Sequence, residues 1–246
     1  MKNNSIVIAV AIFAVAMVVS ALIGVSAIRT FKTHPRTVTV KGMATRDFVS
    51  DLAVWHFTYT TRAETPAEGY QEIARQRELI ASFLRSQSIA DDEISYGTVT
   101  SVQNINGYYS QAAQRYIEEL NGYNVSQEIT VTSGDVMKVD KLSKNIGDLI
   151  ARGVTVSSSG PEFYYNGLGD LKLEMLGDAA KDARARAESI ARESNAKVST
   201  LKSSGMGVFQ ILGKNSNEDY SWGGTFNTTS IEKTATITVT STFLLK

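Results

Sequence analysis

Few residues in this chain are able to do chemistry. It contains no cysteine and two histidines, His34 and His56, which removes thiol nucleophiles and leaves two imidazole bases. Asp47, Ser50 and Asp51 lie a few residues before His56, and these are the residue types of a hydrolytic triad. No nucleophile-elbow pattern accompanies them, and a partly exposed strand position is the plainer reading of His56. With no thiol and two separated imidazoles, metal ligation falls to carboxylates. Asp91-Asp92-Glu93 lacks the spaced ligands and central glycine of a calcium loop and reads as a solvated turn. Gly205 and Gly207, like Gly223 and Gly224, fit neither dinucleotide nor phosphate-loop spacing and read as turn residues. Asn124-Val125-Ser126 and Asn227-Thr228-Thr229 are sequons, short enough to arise by chance. The sequence thus predicts no catalytic, cofactor-binding or metal-binding residues and no cofactor.

Aromatic residues in polar surroundings carry more information. Tyr108, Tyr109 and Tyr116 fall in one such stretch, and Tyr220, Trp222 and Phe226 in another. Aromatic side chains in long connections mark contact surfaces unless they fold back on their own domain. These six form the candidate interaction surface.

The elements that would position them follow from periodicity. Thr37 to Met43 reads as a short strand. In the next, Ala53, Trp55, Phe57 and Tyr59 share the better core face, placing His56 on the other. Thr65, Pro66 and Glu68 make a capping box. They open a helix whose stripe is Tyr70, Ile73, Ile80, Phe83 and Leu84. A strand spans Ile94 to about Gln103, an irregular region 104–121, and a strand Gly122 to Thr132. Ser133 is placed to cap a helix through Val136, Val139, Leu142, Ile146, Leu149 and Ile150, stopped by Gly153. A strand from Val154 to about Tyr165 leads to a long helix, Leu171 to about Ser194. Its Ala179, Ala183 and Ala187 form a methyl ridge, with Ala180, Ile190 and Ala191 beside it, and Asn195 ends it. Strand signals near 198–202 and 206–212, a polar loop over 214–230 and a Thr-alternating strand from Thr234 to Leu244 complete the chain.

The resulting order, β-β-α-β-β-α-β-α-β-β, predicts an α+β fold with three helices on mixed or antiparallel sheet. Hairpin-like links at 43–50 and 104–121 argue against a doubly wound sheet. Residues 36–105 read as a first α+β half and 117–246 as a second, the two packed together, with the last strand returning to the first half. That last strand and the 37–43 strand are both candidate sheet edges.

The start of the chain sets its address. Ile6 to Ile28 is 23 residues without a charge, roughly 34 Å of helix, enough to cross a hydrocarbon core of about 30 Å. Residues 1–30 are therefore expected to be a transmembrane anchor touching the lipid bilayer through 6–28. Val25-Ser26-Ala27 keeps open a cleaved signal and a free periplasmic state, but the apolar stretch is longer than a signal core. The absence of cysteine excludes a lipoprotein anchor. Lys2 before the run and Arg29, Lys32 and Arg36 after it favour a cytoplasmic remainder by charge bias. Long domains translocate despite such charges, and the expectation here is a single-pass inner-membrane protein with its soluble region in the periplasm. The roughly 216 residues beyond the anchor suffice for one large domain or two small ones. Lys plus Arg and Asp plus Glu both number 25. That balance supplies no cationic field for nucleic acid, which is not expected as a partner.

Val38-Thr39-Val40-Lys41-Gly42-Met43-Ala44-Thr45-Arg46, followed by Asp51-Leu52-Ala53-Val54-Trp55, resembles the opening signature of SIMPL-domain proteins. Gly122-Tyr123 leading a strand, a helix ending at Gly153, Phe163-Tyr164 and the Ala-rich helix extend the resemblance over about 36–245. The resemblance implies export to the bacterial envelope, ring-like or channel-like homo-oligomers in some members and a link to oxidative stress tolerance in some. It supplies no active site. The expected function is that of a non-enzymatic, membrane-anchored envelope protein that assembles with itself, accessory to oxidative or envelope stress tolerance. The alternatives are a periplasmic binding module holding a small ligand or peptide between its halves, and a hydrolase using His56.

Overall fold

Strand β2 (Leu52–Ala63) organises the larger sheet. In the computed structural model, which describes residues 13–23, 25, 36–219 and 221–246, Ala53, Trp55, Phe57 and Tyr59 are all buried while His56 is exposed. Period-2 alternation makes one face of the strand apolar, and that face needs a cover. Helices α2 (Pro66–Ser86), α3 (Val136–Lys144) and α4 (Gly147–Ala151) supply it. Ile73, Ile80, Phe83, Leu84, Val139, Leu142 and Leu149 join the β2 residues and Val125, Ile129 and Val131 in one core cluster. Each such side chain contributes about 1.5–3 kcal/mol on burial, so this cluster is the main source of stability of its sheet.

Helix α2 begins as its sequence dictates. Thr65 accepts the Glu68 amide, and Pro66 occupies the first turn. Tyr70, counted in its apolar stripe, is instead exposed, and the buried positions Gly69 and Gln76 complete the inner face. The single helix expected from Ser133 is two, because Asp135 takes the capping role, accepting the Lys138 amide at 3.0 Å, and Asn145 ends α3. Gly153 has φ of 85°, as the left-handed stop requires.

The sheet runs β3-β5-β2-β6, with β4 also on β5 and β7 also on β2, where β3 is Ile94–Tyr96, β4 Thr100–Ser110, β5 Arg115–Ser133, β6 Thr155–Ser158 and β7 Glu162–Tyr164. Its pairings are antiparallel. Two expectations are corrected here. Residues 104–121 are not irregular: they are most of a long β4–β5 hairpin, so the gap drawn at 105–117 falls within it. The 154–165 strand is two strands, interrupted around Gly160-Pro161, since proline has no amide to give a ladder.

A second, three-stranded sheet is ordered β1-β9-β8, with β1 Thr37–Val49, β8 Val198–Gly213 and β9 Glu232–Leu245. β1 extends past the expected end at Met43 and, with β2 in the other sheet, forms no hairpin across 43–50. β9 is the middle strand, not an edge, with β1 on one side and β8 on the other; its alternate residues Ala235, Ile237, Val239 and Phe243 are buried. The strand signals at 198–202 and 206–212 belong to one strand, β8. Helix α5 (Leu168–Glu193) buries Ala179, Ala183, Ala187 and Ala191, as the methyl ridge predicts, whereas Ala180 and Ile190 face outward. Ala183 and Ala187 cluster with Val40 and Phe243.

The result is a mixed α+β chain whose contacts group into two compact units. One comprises Met1–Gly42, Ala180–Met206 and Val239–Lys246, the other Met43–Ala179 and Gly207–Thr238. Residues 13–23 are helical (α1). Among the described residues no helix is long and apolar enough to cross a membrane. Much of the 6–28 run, with Lys2, Arg29, Lys32 and His34, lies outside the described residues.

Candidate functional site

The β4–β5 hairpin begins inside the sheet and leaves it. β2 pairs with β5 up to Ala63↔Tyr123 and then ends, whereas the β4 pairing continues from Gln103↔Tyr123 to Ser110↔Arg115. Beyond that point β4 is the one strand neighbour of β5 among the described residues, and the chain forms a two-stranded arm. Gly122 stands at its root with φ of 77°, and a Cβ there would fall 2.5 Å from the Ala63 carbonyl oxygen. No residue between 100 and 121 is buried.

Opposite residues in an antiparallel ladder share a face. Ile105↔Leu120 and Tyr109↔Tyr116 therefore lie on one side of the arm, with Gly107↔Glu118 between them. All four apolar side chains are at least half exposed, Tyr116 to 63%. The Tyr116 ring lies over Gly107, whose missing side chain leaves the room. Tyr108 is on the other side, its hydroxyl donating to Glu119 at 2.9 Å, an interaction that raises its pKa. A ribbon of two strands with no core of its own is marginal in water. Here it also displays an apolar strip.

The remaining candidates are placed elsewhere. Trp222 is 99% exposed and Phe226 half exposed, with the Phe226 ring 6.5 Å from that of Tyr164; Tyr220 lies outside the described residues. The 214–230 loop holding them is pinned at its base. Glu218 accepts the Gly213 amide at 2.9 Å and the Asn227 side-chain amide, and these two contacts, in that order, hold its carboxyl below its ordinary pKa. Asn227, the sequon residue, is buried and accepts the Ser230 amide. Lys233, also buried, donates to the carbonyls of Asn227 at 2.6 Å and Phe163 at 2.7 Å. Burial pushes its pKa down to about 8, against a smaller opposing pull from Glu218.

His56 lines a cavity of about 610 Å³ with Asp140, Lys144, Ser158 and Glu162 among its walls. None of Tyr108, Tyr109, Tyr116, Trp222 and Phe226 lines it. Polar wall groups are engaged: Lys144 pairs with Asp140 at 2.6 Å, and Ser158 accepts the indole N–H of the buried Trp55 at 2.8 Å. His56 Nδ1 is 3.0 Å from the Thr130 hydroxyl and 3.7 Å from Glu128. A relay needs the hydroxyl on one ring nitrogen and the carboxylate on the other; here the Thr130 hydroxyl is on Nδ1, and Glu128 lies nearest that same nitrogen but beyond hydrogen-bond reach. Among the described residues no cluster of three or more His, Cys, Asp or Glu is arranged to hold a metal ion.

The family model for SIMPL, a protein of unknown function (DUF541), matches residues 38–243. The chain belongs to the SIMPL family. No curated protein matches it. The SIMPL match spans the arm, the cavity and the pinned loop alike, so all three lie within the family domain.

Two features of this SIMPL chain escaped the sequence. The arm escaped because Asn104, Asn106 and Gly107 are of residue types depleted in strands. Lys233 shares its parity with Ala235 and Ile237, and that register was the available sign that it points inward.

Proposed function

We propose that this SIMPL protein is a non-enzymatic, membrane-anchored envelope protein that acts by assembling with itself, accessory to oxidative or envelope stress tolerance. The assembly rests on one observation: the β4–β5 arm exposes Ile105, Tyr109, Tyr116 and Leu120 on one face and contributes no buried residue to its own domain. Apolar surface with no role in the fold is characteristic of a contact surface. The non-enzymatic reading draws on the surroundings of His56, whose Nδ1 is 3.0 Å from the Thr130 hydroxyl while Glu128, at 3.7 Å from the same nitrogen, is beyond hydrogen-bond reach. The anchor draws on the uncharged run 6–28, which would hold every copy in one plane and raise the effective concentration of weak contacts. The stress role draws on family resemblance.

Mass measurement on detergent-solubilised full-length protein at micromolar concentration tests the assembly. The expected result is a multi-copy particle; a single-copy particle would overturn it. Deleting the gene is expected to lower survival under oxidant or envelope stress, and unchanged survival removes the stress role. The 610 Å³ cavity favours a second reading, a module binding a small polar ligand. Its signature would be a ligand-induced rise in melting temperature that His56→Ala and Lys144→Ala both abolish.

A further inference from the structure

We propose that two copies join edge to edge through β4, paired antiparallel with the same strand of the second copy about a two-fold axis at Gly107. This inference rests on the assembly reading and names its contact.

The arm has two open edges, and they differ. On the β5 side, Arg115, Glu118 and Glu119 punctuate the strand, and the Arg62 guanidinium already donates to the Asn121 carbonyl at 2.9 Å. Self-pairing of 115–121 would set Glu118 against Glu118. Charges of this kind are how sheet edges are kept from pairing. β4 carries none. Thr-Ser-Val-Gln-Asn-Ile-Asn-Gly-Tyr-Tyr-Ser over 100–110 has no charge and no proline, and among the described residues β5 is its only strand partner. The free edge therefore offers backbone donors and acceptors to another strand, with nothing to repel an identical one.

The register follows from where β4 is regular. A bulge interrupts it between Gln103 and Ile105, and the ladder ends at Ser110. A two-fold axis normal to the sheet keeps each face on its own side, so opposed residues must come from the same face. Centring on Gly107 opposes Ile105 to Tyr109 of the second copy, twice, and Asn106 to Tyr108, twice. Branched aliphatic against aromatic is a favourable cross-strand pair. The neighbouring registers fail, since centring on Asn106 sets Ile105 against Gly107, and centring on Tyr108 sets it against Gln111 in the turn. With Gly107 on the axis, Tyr116 and Leu120 flank each Ile105–Tyr109 pair from the next strand, and the apolar strips of the two arms become continuous. A closed, isologous contact results.

The chain has no cysteine, which makes crosslinking selective. The full-length Ile105→Cys/Tyr109→Cys variant, in detergent with oxidised glutathione as the oxidant, is expected to run as a disulfide-linked dimer on non-reducing gels in most of the material. Each single variant is expected to give at least tenfold less. Within one chain the two positions are about 13 Å apart, too far to bridge. Both are exposed, so folding is not at risk. As a second measurement, Asn106→Lys/Tyr108→Lys puts four cations along the joined edges and is expected to weaken association at least tenfold. If the wild type is multi-copy but the double-cysteine variant stays uncrosslinked, crosslinks no better than the singles, or couples to a different protein, the β4 contact is overturned and assembly stands. A single-copy wild type overturns both.

Discussion

The ammonium of Lys233 lies 2.7 Å from the carbonyl oxygen of Phe163, joining the start of β9 to β7 across 70 positions of sequence. Its second acceptor, the Asn227 carbonyl, belongs to the loop that carries Trp222 and Phe226. A neutral amine keeps two N–H donors, one for each carbonyl, so the contact survives deprotonation.

That gives the contact a pH signature. The folded pKa of Lys233, about 8, is below its ordinary 10.5, so above about pH 8 the unfolded chain binds more protons and stability rises with pH. The gain is complete above 10.5 and is lost as pH falls through 8. Tyr59, which burial pushes up to about 12 from 10.0, removes stability only above pH 10. Urea melts between about pH 7.5 and 9.5 should therefore show increasing stability. Lys233→Met should abolish the increase and cost about 1–3 kcal/mol, because two carbonyls lose their donor. A variant that keeps the slope would assign the titration elsewhere.

At the root of the arm, Gly122→Ala is expected to cost at least about 2 kcal/mol. It combines a positive φ with a Cβ placed 2.5 Å from the Ala63 carbonyl oxygen. Gly134→Ala is the control, as its Cβ would meet Asp51 at an ordinary 3.7 Å. Chemical denaturation of both compares the two, and equal losses would contradict the role given to Gly122.

Much of this architecture is visible in single residues. The parity of Trp55, Phe57 and Tyr59 gives the covered face of β2, and the four-residue repeat of Ala179, Ala183 and Ala187 gives the buried side of α5. Both signals are local and strong, since one face of each element is apolar. Which strands neighbour each other is not local. β9 lies between β1 and β8 because β1, from the other end of the chain, meets the edge that β8 leaves open, and no residue within β9 encodes that order. The arm was hidden for another reason: a strand with no core to face lacks the hydrophobic alternation by which strands are recognised.

The proposed anchor carries its own prediction, with the amino terminus in the cytoplasm and residues from about 31 onward outside. Arg29, Lys32 and Arg36 oppose this by charge bias, and the proposal relies on the length of the following domain to outweigh them. Protease added to spheroplasts should degrade the domain. Survival until the inner membrane is broken would place it in the cytoplasm and change every partner available to the arm.

Removing the arm separates assembly from folding. Replacing residues 105–120 with a short Asn-Gly turn deletes the exposed Ile105, Tyr108, Tyr109, Tyr116 and Leu120, no buried side chain, and no pairing of β5 with β2. The core cluster of Trp55, Phe57, Tyr59, Ile129 and Val131 remains whole. Unfolding free energy should stay within about 0.5 kcal/mol of wild type, as for surface changes generally, while the particle mass in detergent falls to one copy. A truncated chain that still assembles would move the contact to the 214–230 loop or the β1 edge. One that unfolds would show the hairpin to be part of the fold it grows from, and its exposed tyrosines would then need another explanation.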